Sequence, residues 1–262
     1  IRDRSMQMKS LEQTLDTALF DRSVRPPRLT PMGRAVVEEC IPLLRHEANL
    51  IDICRTGEEL AGRYRLGFVT TAAVRLLPRF LLAASRDAPR ADFEFQTGLS
   101  AVLQDKVVAG QLDAAVITDA DGLPDEFSVS LLRTEPFVFA AHSALMSDGL
   151  QGLLSKHAFF HFMPHTGIGK LIASAMQSQK RPAPARTIVL DNLEAIMECV
   201  SAGLGFTLLP VPDVERYRTP EVETLRAAGS LERRLVLVAM QNGVLARRTP
   251  TLAALLGAQA SV

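Results

Sequence analysis

The first fifty residues of the chain carry apolar positions at helical spacing, interrupted once by prolines. Leu11, Leu15 and Leu19 recur on one face of a helix, so residues 4–15 are predicted to form an amphipathic helix with a polar, partly basic outer face. The segment 20–29 contains two prolines, which exclude a helix, and three arginines. We expect these arginines to project from a short extended loop.

A second, longer helix is predicted to begin at Thr30 and Pro31. Threonine can cap the first free N–H groups of a helix, and proline suits its first turn. The apolar positions that follow step by four, three, four and three residues, and they are Val37, Ile41, Leu44, Ala48 and Ile51. This heptad pattern predicts pairing with another helix, and packing of the helix on its own domain stays open as the alternative. Pro42 lies inside the pattern and is expected to kink the helix.

Beyond residue 56 the pattern changes to short apolar runs that alternate with helical patterns. Glycines in the segment 57–62 end the long helix, and we place a domain boundary there. Buried strands are predicted over 64–69, 93–96 and 112–117 with helices between them, an order typical of a parallel sheet. A further strand is predicted over 137–141.

The same alternation of strands and helices returns in the second half of the chain. Strands are predicted over 159–163, 187–190 and 206–209, again with helices between them, so a second α/β lobe follows. A strand over 234–240 and a closing helix over 251–256 are long enough to return to the first lobe. Two lobes joined by crossing strands are expected to form a cleft.

The composition is that of a globular protein with an uneven distribution of charge. Hydrophobic residues make up 47% of the chain and charged residues 22%, enough for a sizeable core. Lys plus Arg and Asp plus Glu both number 29, so the net charge alone does not indicate nucleic-acid binding. Residues 1–34, however, hold seven basic side chains against four acidic ones. The start of the chain is therefore locally basic.

Cysteine usage and hydropathy favour a cytoplasmic protein. The three cysteines are too few and too scattered for a disulfide framework. The sequence shows neither an export signal nor an apolar run long enough for a membrane helix. The chain opens without methionine and already inside a helical pattern, and from this we expect an N-terminal portion to be missing.

The N-terminal pattern is similar to that of a known family. It consists of Ser5, Met8, Leu11, Glu12, Leu15, Leu19, Phe20, Arg22, Arg25, Leu29, Thr30, Pro31 and Gly33. In this order and spacing these residues resemble the recognition helix, wing and linker-helix start of LysR-type transcriptional regulators. The segments 62–67, 110–115 and 202–210 resemble further recurrent segments of that family. The chain departs from the pattern at Met6, where the family often has arginine, and at Asp16, where it often has glycine.

The resemblance implies the fold class and the order of domains. The expected fold is α/β, with a two-lobed, periplasmic-binding-protein-like (type 2) effector domain of parallel-sheet lobes behind a partial winged helix-turn-helix and a long linker helix. The implied bounds are 1–30 for the DNA-binding part, 31–60 for the dimerisation helix, 61–262 for the effector domain, 62–143 with 236–262 for lobe I, and 144–235 for lobe II.

The resemblance also implies the partners. They are double-stranded operator DNA, a small-molecule effector, further copies of the chain in a homodimer or homotetramer, and RNA polymerase. No cofactor, metal, membrane contact or enzymatic activity is expected. The alternative is a soluble solute-binding protein of the same fold, which needs neither the winged-helix pattern nor the heptad-bearing helix of residues 1–60.

Four residues are candidates for DNA contact by their positions in the motif. Ser5 and Gln7 lie on the helix expected in the major groove and are candidates for base edges or phosphates, and Lys9 suits a phosphate. Arg25 lies at the wing and is a candidate for a narrowed minor groove. For any one of them taken alone, a solvated side chain on an exposed face is the more common explanation, and the full pattern favours DNA contact.

Candidate effector-binding residues follow the predicted strands, where ligands of open α/β sheets bind. They are Thr70, Thr71, Gly98, Ser100, Thr118, His165 and Thr166, with Phe206 as an apolar wall. Hydroxyl groups near helix N-termini favour anions, so we expect a small organic anion. Ordinary helix caps and turns are the alternative explanation, and Asp119 and Asp121 would oppose an anion at the mouth of the cleft.

Two other groups of residues are not interpreted as functional sites. His157, His161 and His165 are spaced by four residues, but the segment between them is predicted to be a strand, in which such side chains lie too far apart to share a metal ion. Cys199 lies on a predicted helix without a nearby second cysteine, which favours core packing over redox sensing. No catalytic set can be assembled from spacing alone.

Overall fold

The computed structural model describes residues 2–56, 60–178, 183–227 and 231–257. The chain divides into two compact units, Ile1–Gly57 and Glu58–Val262. The segment 57–62, where the sequence predicts a boundary, lies partly outside the described residues.

The first unit is a helix, a short hairpin and a long helix. Its elements are α1 (Arg2–Thr14), β1 (Phe20–Asp21), β2 (Arg28–Leu29) and α2 (Pro31–Thr56). The helix predicted over 4–15 is confirmed as α1. The extended loop is confirmed as an antiparallel hairpin in which Phe20 pairs with Leu29.

One carboxylate connects the first helix to the hairpin. Glu12 accepts hydrogen bonds from the backbone N–H groups of Leu19, at 2.9 Å, and Phe20, at 3.1 Å. It also accepts one from Nη2 of Arg22, at 2.7 Å. The backbone hydrogen bond from Leu19, foremost, lowers the pKa of Glu12. Glu12 therefore satisfies backbone groups that the turn leaves without partners.

The start of the long helix is built as the sequence predicts. The Thr30 hydroxyl accepts a hydrogen bond from the Gly33 N–H at 2.9 Å, which is the geometry of an N-cap. Gly33 has no room for a side chain, because a Cβ there would lie 2.1 Å from the carbonyl oxygen of Leu19. The helix continues through Pro42, so the proline does not end it. Of the predicted heptad positions, Val37, Ile41 and Leu44 are exposed in the single chain, and the side chains of the other two lie outside the described ones.

The second unit begins with three parallel strands and their crossover helices. The elements are β3 (Ala61–Val69), α3 (Thr70–Asp87), β4 (Arg90–Gly98), α4 (Ser100–Val108) and β5 (Ala114–Asp119). Strand β3 lies between β4 and β5 and is parallel to both. The predicted strand-helix alternation of the first lobe is confirmed. Its core collects the buried side chains of the central strands and of one face of α3.

The second lobe repeats this arrangement around its own core. Its elements are α5 (Ser143–Met146), α6 (Gly149–Lys156), β7 (Ala158–Phe162), α7 (Gly167–Ser178), β8 (Arg186–Leu190), α8 (Leu193–Ser201), β9 (Gly205–Pro210), α9 (Val211–Tyr217) and β10 (Val222–Arg226). Strand β7 is parallel to β8 and β9. The predicted strands and helices from β7 to β9 are confirmed, whereas α5, α6, α9 and β10 were not predicted.

Two antiparallel strands join the lobes. They are β6 (Phe127–His142) and β11 (Glu232–Met240), and helix α10 (Thr249–Leu255) packs on the first-lobe core. The strand order is β4-β3-β5-β11-β6-β9-β7-β8, with β10 paired to β6. The sequence predicts only residues 137–141 of β6, because its first half alternates polar and apolar side chains and lacks a continuous apolar run.

The long strand β6 corrects the predicted bounds of the lobes. Its first part pairs with β11, and residues from Phe137 onward pair with β9. Phe137–Ala141 therefore belong to the core of the second lobe, although lobe I was expected to extend to residue 143. Conversely, Arg234 pairs with Asp119 of the first-lobe sheet, although lobe II was expected to extend to residue 235. Because β6 crosses from one lobe to the other, the boundary between the lobes lies within this strand.

Candidate functional site

A cavity of about 360 Å³ lies between the two lobes of the second unit. The carboxyl ends of β3, β4 and β5 in the first lobe and of β7 and β8 in the second border it. Ligands of open α/β sheets bind at such strand ends, and this volume suits a small organic molecule.

Two of the helices that begin at the cavity have uncapped N-termini. Helix α3 starts after the extended residue Val69, and α4 starts after the extended residue Leu99. No described side chain caps either helix end, so N–H groups of their first turns are open to a ligand. In the second lobe, by contrast, Asn192 caps α8 through hydrogen bonds from the N–H groups of Glu194 and Ala195. The first-lobe side of the cavity thus has anion-binding character.

The start of α7 is shaped by a close approach to the end of β7. The Thr166 hydroxyl accepts a hydrogen bond from the Gly169 N–H at 3.1 Å. A Cβ at Gly169 would lie 2.0 Å from the carbonyl oxygen of Met163, so only glycine fits there. This arrangement brings Thr166 and Gly167 to the wall of the cavity.

The structure brings six of the eight predicted effector-binding residues to this cavity. They are Thr70, Thr71, Gly98, Ser100, Thr118 and Thr166. Thr118 is buried, and its backbone N–H donates to the Ser100 hydroxyl at 3.2 Å, which joins the ends of two neighbouring strand-helix connections.

The other two predicted residues do not line the cavity. His165 is exposed beside Thr166, whose hydroxyl caps the helix. Phe206 is fully buried in the second-lobe core, with its ring centroid 5.2 Å from that of Phe159 and 6.3 Å from that of Phe139. The expectation of an apolar wall at Phe206 is wrong because β9 is a central strand buried along its whole length.

A buried network of charges, which the sequence did not predict, connects the lobes beside the cavity. Arg233 on β11 is 0% exposed and Glu135 on β6 is 3% exposed. Nε of Arg233 donates to Oε2 of Glu135 at 2.7 Å, and Nη1 of Arg233 donates to the Thr71 hydroxyl at 3.1 Å. Arg75 on α3 completes the contact by donating from Nη1 to Oε1 of Glu135 at 2.8 Å.

The second-lobe member of this network is Asp213 on α9. Its Oδ2 lies 2.9 Å from Nη1 of Arg233, and its Oδ1 lies 3.6 Å from Nε of Arg75. Asp213 is therefore held by ion pairs to both arginines of the network. Nothing in the sequence indicated this cluster, because its members are far apart along the chain and two of them lie within strands.

The pKa values of the two carboxyl groups in the network shift in opposite directions. Burial alone would raise the pKa of Glu135, but the guanidinium groups of Arg233 and Arg75 outweigh it and hold that pKa below its ordinary value of 4.5. Burial raises the pKa of Asp213, and the same arginines offset this only in part. Glu135 is therefore the firmly ionised member of the pair.

Further contacts close the lobes on each other at the rim of the cavity. Lys170 on α7 forms an ion pair with Asp121, which follows β5. A Cβ at Gly167 would lie 2.9 Å from Cβ of Thr118, so the two lobes touch there. Asp119 forms an ion pair with Arg234 at 2.9 Å. Both aspartates that were expected to oppose an anion therefore have basic partners.

Most of the chain matches a known protein family. Residues 57–261 match the family model described as LysR substrate binding domain. The chain belongs to the LysR family. Members of this family are transcriptional regulators and not enzymes, in agreement with the resemblance found in the sequence.

Several named proteins are similar to this LysR-family chain in sequence or in structure. The HTH-type transcriptional regulator YofA of Bacillus velezensis is 27% identical over 217 residues, which cover 81% of this chain and 72% of YofA. The transcriptional dual regulator GltC of Bacillus subtilis is 26% identical over 212 residues, which cover 79% and 70%. A full-length OxyR variant of Pseudomonas aeruginosa has a similar structure, with a TM-score of 0.71 at 21% identity, covering 98% of this chain and 88% of OxyR.

The first unit of this LysR-family protein presents most of the predicted DNA-contacting residues to solvent. Gln7 and Lys9 on α1 and Arg25 in the hairpin loop are exposed. Ser5 also lies on α1, but its side chain is outside the described ones.

In the described parts of both units, no group of three or more His, Cys, Asp or Glu side chains is placed to hold a metal ion. His161, one of the three spaced histidines, is buried, and its Nε2 lies 3.2 Å from the carbonyl oxygen of Gly169. No helix in the described ranges combines the length and apolar character required to span a bilayer.

Proposed function

We propose that this chain is a sequence-specific DNA-binding regulator whose activity is controlled by a small organic anion bound between the lobes. The observation that carries the proposal is the pair of uncapped helix N-termini, α3 and α4, that open onto one cavity in a LysR-family fold. Peptide dipoles and free N–H groups at such ends favour a carboxylate or a similar anion.

The polar side chains beside these helix ends support the same ligand class. Thr70, Ser100 and Thr118 line the cavity, and each carries a hydroxyl group that can donate to an anion. The first-lobe lining contains no acidic side chain. An anion there would meet donors on that side without electrostatic repulsion from it.

DNA binding is assigned to the first unit. In a winged helix-turn-helix the second helix enters the major groove, and the wing contacts the backbone or the minor groove. We assign Ser5, Gln7 and Lys9 on α1 to the groove and its phosphates, and Arg25 of the hairpin to the minor groove. The exposed basic side chains in this small unit provide the sequence-independent part of the affinity.

The long helix is proposed to pair with its counterpart in a second copy of the chain. Val37, Ile41 and Leu44 follow a heptad pattern and are exposed in the single chain, and burial of such a row against a second helix is favourable. A homodimer or homotetramer places two DNA-binding units on one operator. We propose that effector binding alters the lobe geometry, the spacing of these units on DNA and their contact with RNA polymerase in the cytoplasm.

Selection from random DNA tests the regulatory function. The full-length gene product is incubated with a pool of random duplexes, and bound DNA is amplified and sequenced over several rounds. We expect an enriched site of two related half-sites, spaced by one helical turn or a multiple of it. Recovery of unenriched DNA would contradict sequence-specific binding and would favour a solute-binding protein.

A further inference from the structure

The cavity has exposed apolar side chains on its first-lobe side. Val74 on α3 and Leu99, the residue before α4, both line it, and they are 44% and 37% exposed. Removal of such apolar surface from water is favourable. These two side chains therefore offer a contact for an apolar part of a ligand, next to the hydroxyl groups of the same lining.

The second-lobe side of the cavity is an apolar wall. It contains Phe162 at the end of β7, Ile168 on α7 and Leu193 on α8, which are between 4% and 8% exposed. Met163 and the ring of Tyr217 extend this wall at partly buried positions. The side chains of phenylalanine, isoleucine and leucine have no hydrogen-bonding groups, so this wall binds a ligand through apolar contact.

The charged side chains of the second-lobe lining disfavour a ligand with two negative charges. Asp191 and Glu194 flank the N-cap residue of α8, line the cavity and are exposed. Asp213 is already ion-paired with arginines. Arg216 is the one basic side chain among the described lining residues, and its guanidinium lies over a tyrosine ring. A dicarboxylate bound to the first lobe would bring its second carboxylate toward Asp191 and Glu194, and like charges repel.

The volume of the cavity limits the size of the apolar part. About 360 Å³ is at the small end of the range for ligand pockets. The hydroxyl-bearing part of the first-lobe lining accommodates the polar group, and apolar side chains surround the rest of the space. A short alkyl chain or a single ring is therefore expected, and not an extended or fused-ring molecule.

We infer that the effector is a monocarboxylate with a compact apolar body, held between Val74 and Leu99 of the first lobe and the wall of Phe162, Ile168 and Leu193 in the second. This inference rests on the proposed function, because it specifies the anion of that same site. The apolar lining and the acidic side chains at the start of α8 carry what it adds, since they select the body of the ligand and exclude a second carboxylate.

Matched sets of ligands test the inference. The chain is screened by thermal shift and then by calorimetry with the unbranched carboxylates from butanoate to octanoate, 3-methylbutanoate, benzoate and phenylacetate. Each monocarboxylate that binds is compared with its neutral amide and with a matched dicarboxylate, such as glutarate for pentanoate and terephthalate for benzoate. We expect at least one monocarboxylate to bind, with affinity rising about fourfold for each methylene that becomes buried. The amide and the dicarboxylate should bind about tenfold or more weakly.

Two variants locate the apolar contact. Leu99→Ala and Val74→Ala shorten exposed side chains, and each should weaken binding of the best monocarboxylate about three- to tenfold, with circular dichroism to verify folding. Val102→Ala is the matched control, because Val102 is exposed on α4 but does not line the cavity. Glu194→Gln should reduce the discrimination against the dicarboxylate by a few fold. Glu198→Gln, on the same helix outside the lining, should leave it unchanged.

The outcomes separate this inference from the proposal beneath it. If dicarboxylates bind as tightly as their monocarboxylates, or if Leu99→Ala and Val74→Ala bind like the unmodified chain, the apolar monocarboxylate is refuted while the anion site stands. If neutral amides bind as tightly as the carboxylates, the anion site of the proposed function is refuted. If no carboxylate of either kind binds, both are refuted.

Discussion

Arg233 and Glu135 face each other where the two crossing strands pass between the lobes, with Nε of the arginine 2.7 Å from Oε2 of the glutamate. Both side chains are almost completely buried, and they come from positions nearly one hundred residues apart. This pair, with Arg75 on α3 of the first lobe and Asp213 on α9 of the second, links the two lobes through their crossing strands.

Removal of the arginine should strongly destabilise the second unit. Arg233→Met leaves two buried carboxylates with Arg75 as the one basic partner that remains among the described residues, and such uncompensated charge costs about 3–5 kcal/mol. The free energy of unfolding in urea measures the effect. Arg234→Met is the matched control, because Arg234 lies next on the same strand, is 55% exposed and pairs with Asp119 at 2.9 Å. That pair should contribute about 1 kcal/mol or less, and equal effects of the two variants would contradict the assigned role of Arg233.

The same network should make stability sensitive to acid. Because the pKa of Glu135 lies below its ordinary value of 4.5 in the folded chain, its ionisation stabilises the fold above that value, and the contribution disappears as the pH falls through the folded pKa. Asp213 acts with the opposite sign, since its raised pKa favours the fold below its unfolded pKa and ceases to do so as the pH rises through the folded value.

The variant Glu135→Gln separates the contribution of Glu135 to the pH dependence of stability from that of Asp213. This variant should be less stable at neutral pH and should lose less free energy of unfolding than the unmodified chain as the pH falls below about 4.5. Denaturant titrations at several pH values provide the measurement. Glu94→Gln is the control, since Glu94 is exposed and lies 3.9 Å from Arg63. Superimposable acid profiles of Glu135→Gln and the unmodified chain would refute the role of Glu135.

The start of the long helix should tolerate no side chain at Gly33. In Gly33→Ala the new Cβ would meet the Leu19 carbonyl oxygen, which lies 2.1 Å from its ideal position, so the hairpin must separate from the helix. We expect faster proteolytic cleavage between residues 15 and 31 and a loss of about 1–3 kcal/mol. Met32→Ala, at a position 55% exposed, should remain within about 0.5 kcal/mol of the unmodified chain. Unchanged proteolysis of Gly33→Ala would show that the close contact can relax.

The hairpin arginine should contribute to DNA affinity. In the full-length gene product, Arg25→Ala is expected to weaken operator binding and to reduce the slope of log affinity against log salt by about 1, as for one lost phosphate-proximal cation. Gel-shift titrations at several salt concentrations measure both effects. Arg86→Ala removes an exposed arginine of the second unit and should change neither quantity. An unaltered affinity of Arg25→Ala would remove this residue from the DNA-binding surface.

The sequence predicted those parts of the fold and site that depend on local pattern. Continuous apolar runs predicted β3 and β5, and the ends of the predicted parallel strands led to Thr70, Ser100 and Thr118, which the cavity brings together. Phe206 was expected to be an apolar wall of the cavity, but its strand lies between β6 and β7 and is buried along its whole length.

The charged network could not be predicted from the sequence. Glu135 lies in the half of β6 whose alternating side chains gave no strand prediction, and Arg233 lies just before the strand predicted over 234–240. Their partnership depends on long-range strand register, in which Arg233 pairs with Glu135 across β11 and β6. Local periodicity contains no information about such pairs, so the charged network emerged only from the structure.

The central claim, that a ligand between the lobes controls DNA binding, is tested most directly by the affinity of the full-length protein for its selected DNA site. The affinity is measured with and without a saturating small organic anion, chosen by a thermal-shift screen of carboxylates. Fluorescence anisotropy should show a change in affinity or in salt dependence for the unmodified protein and for Gln104→Glu, which adds a charge one turn along α4 outside the cavity lining. Ser100→Glu places the same charge at the uncapped helix end and should abolish the response while leaving unliganded DNA affinity intact. A response that persists in Ser100→Glu, or DNA affinity that is indifferent to bound ligand, would contradict the account.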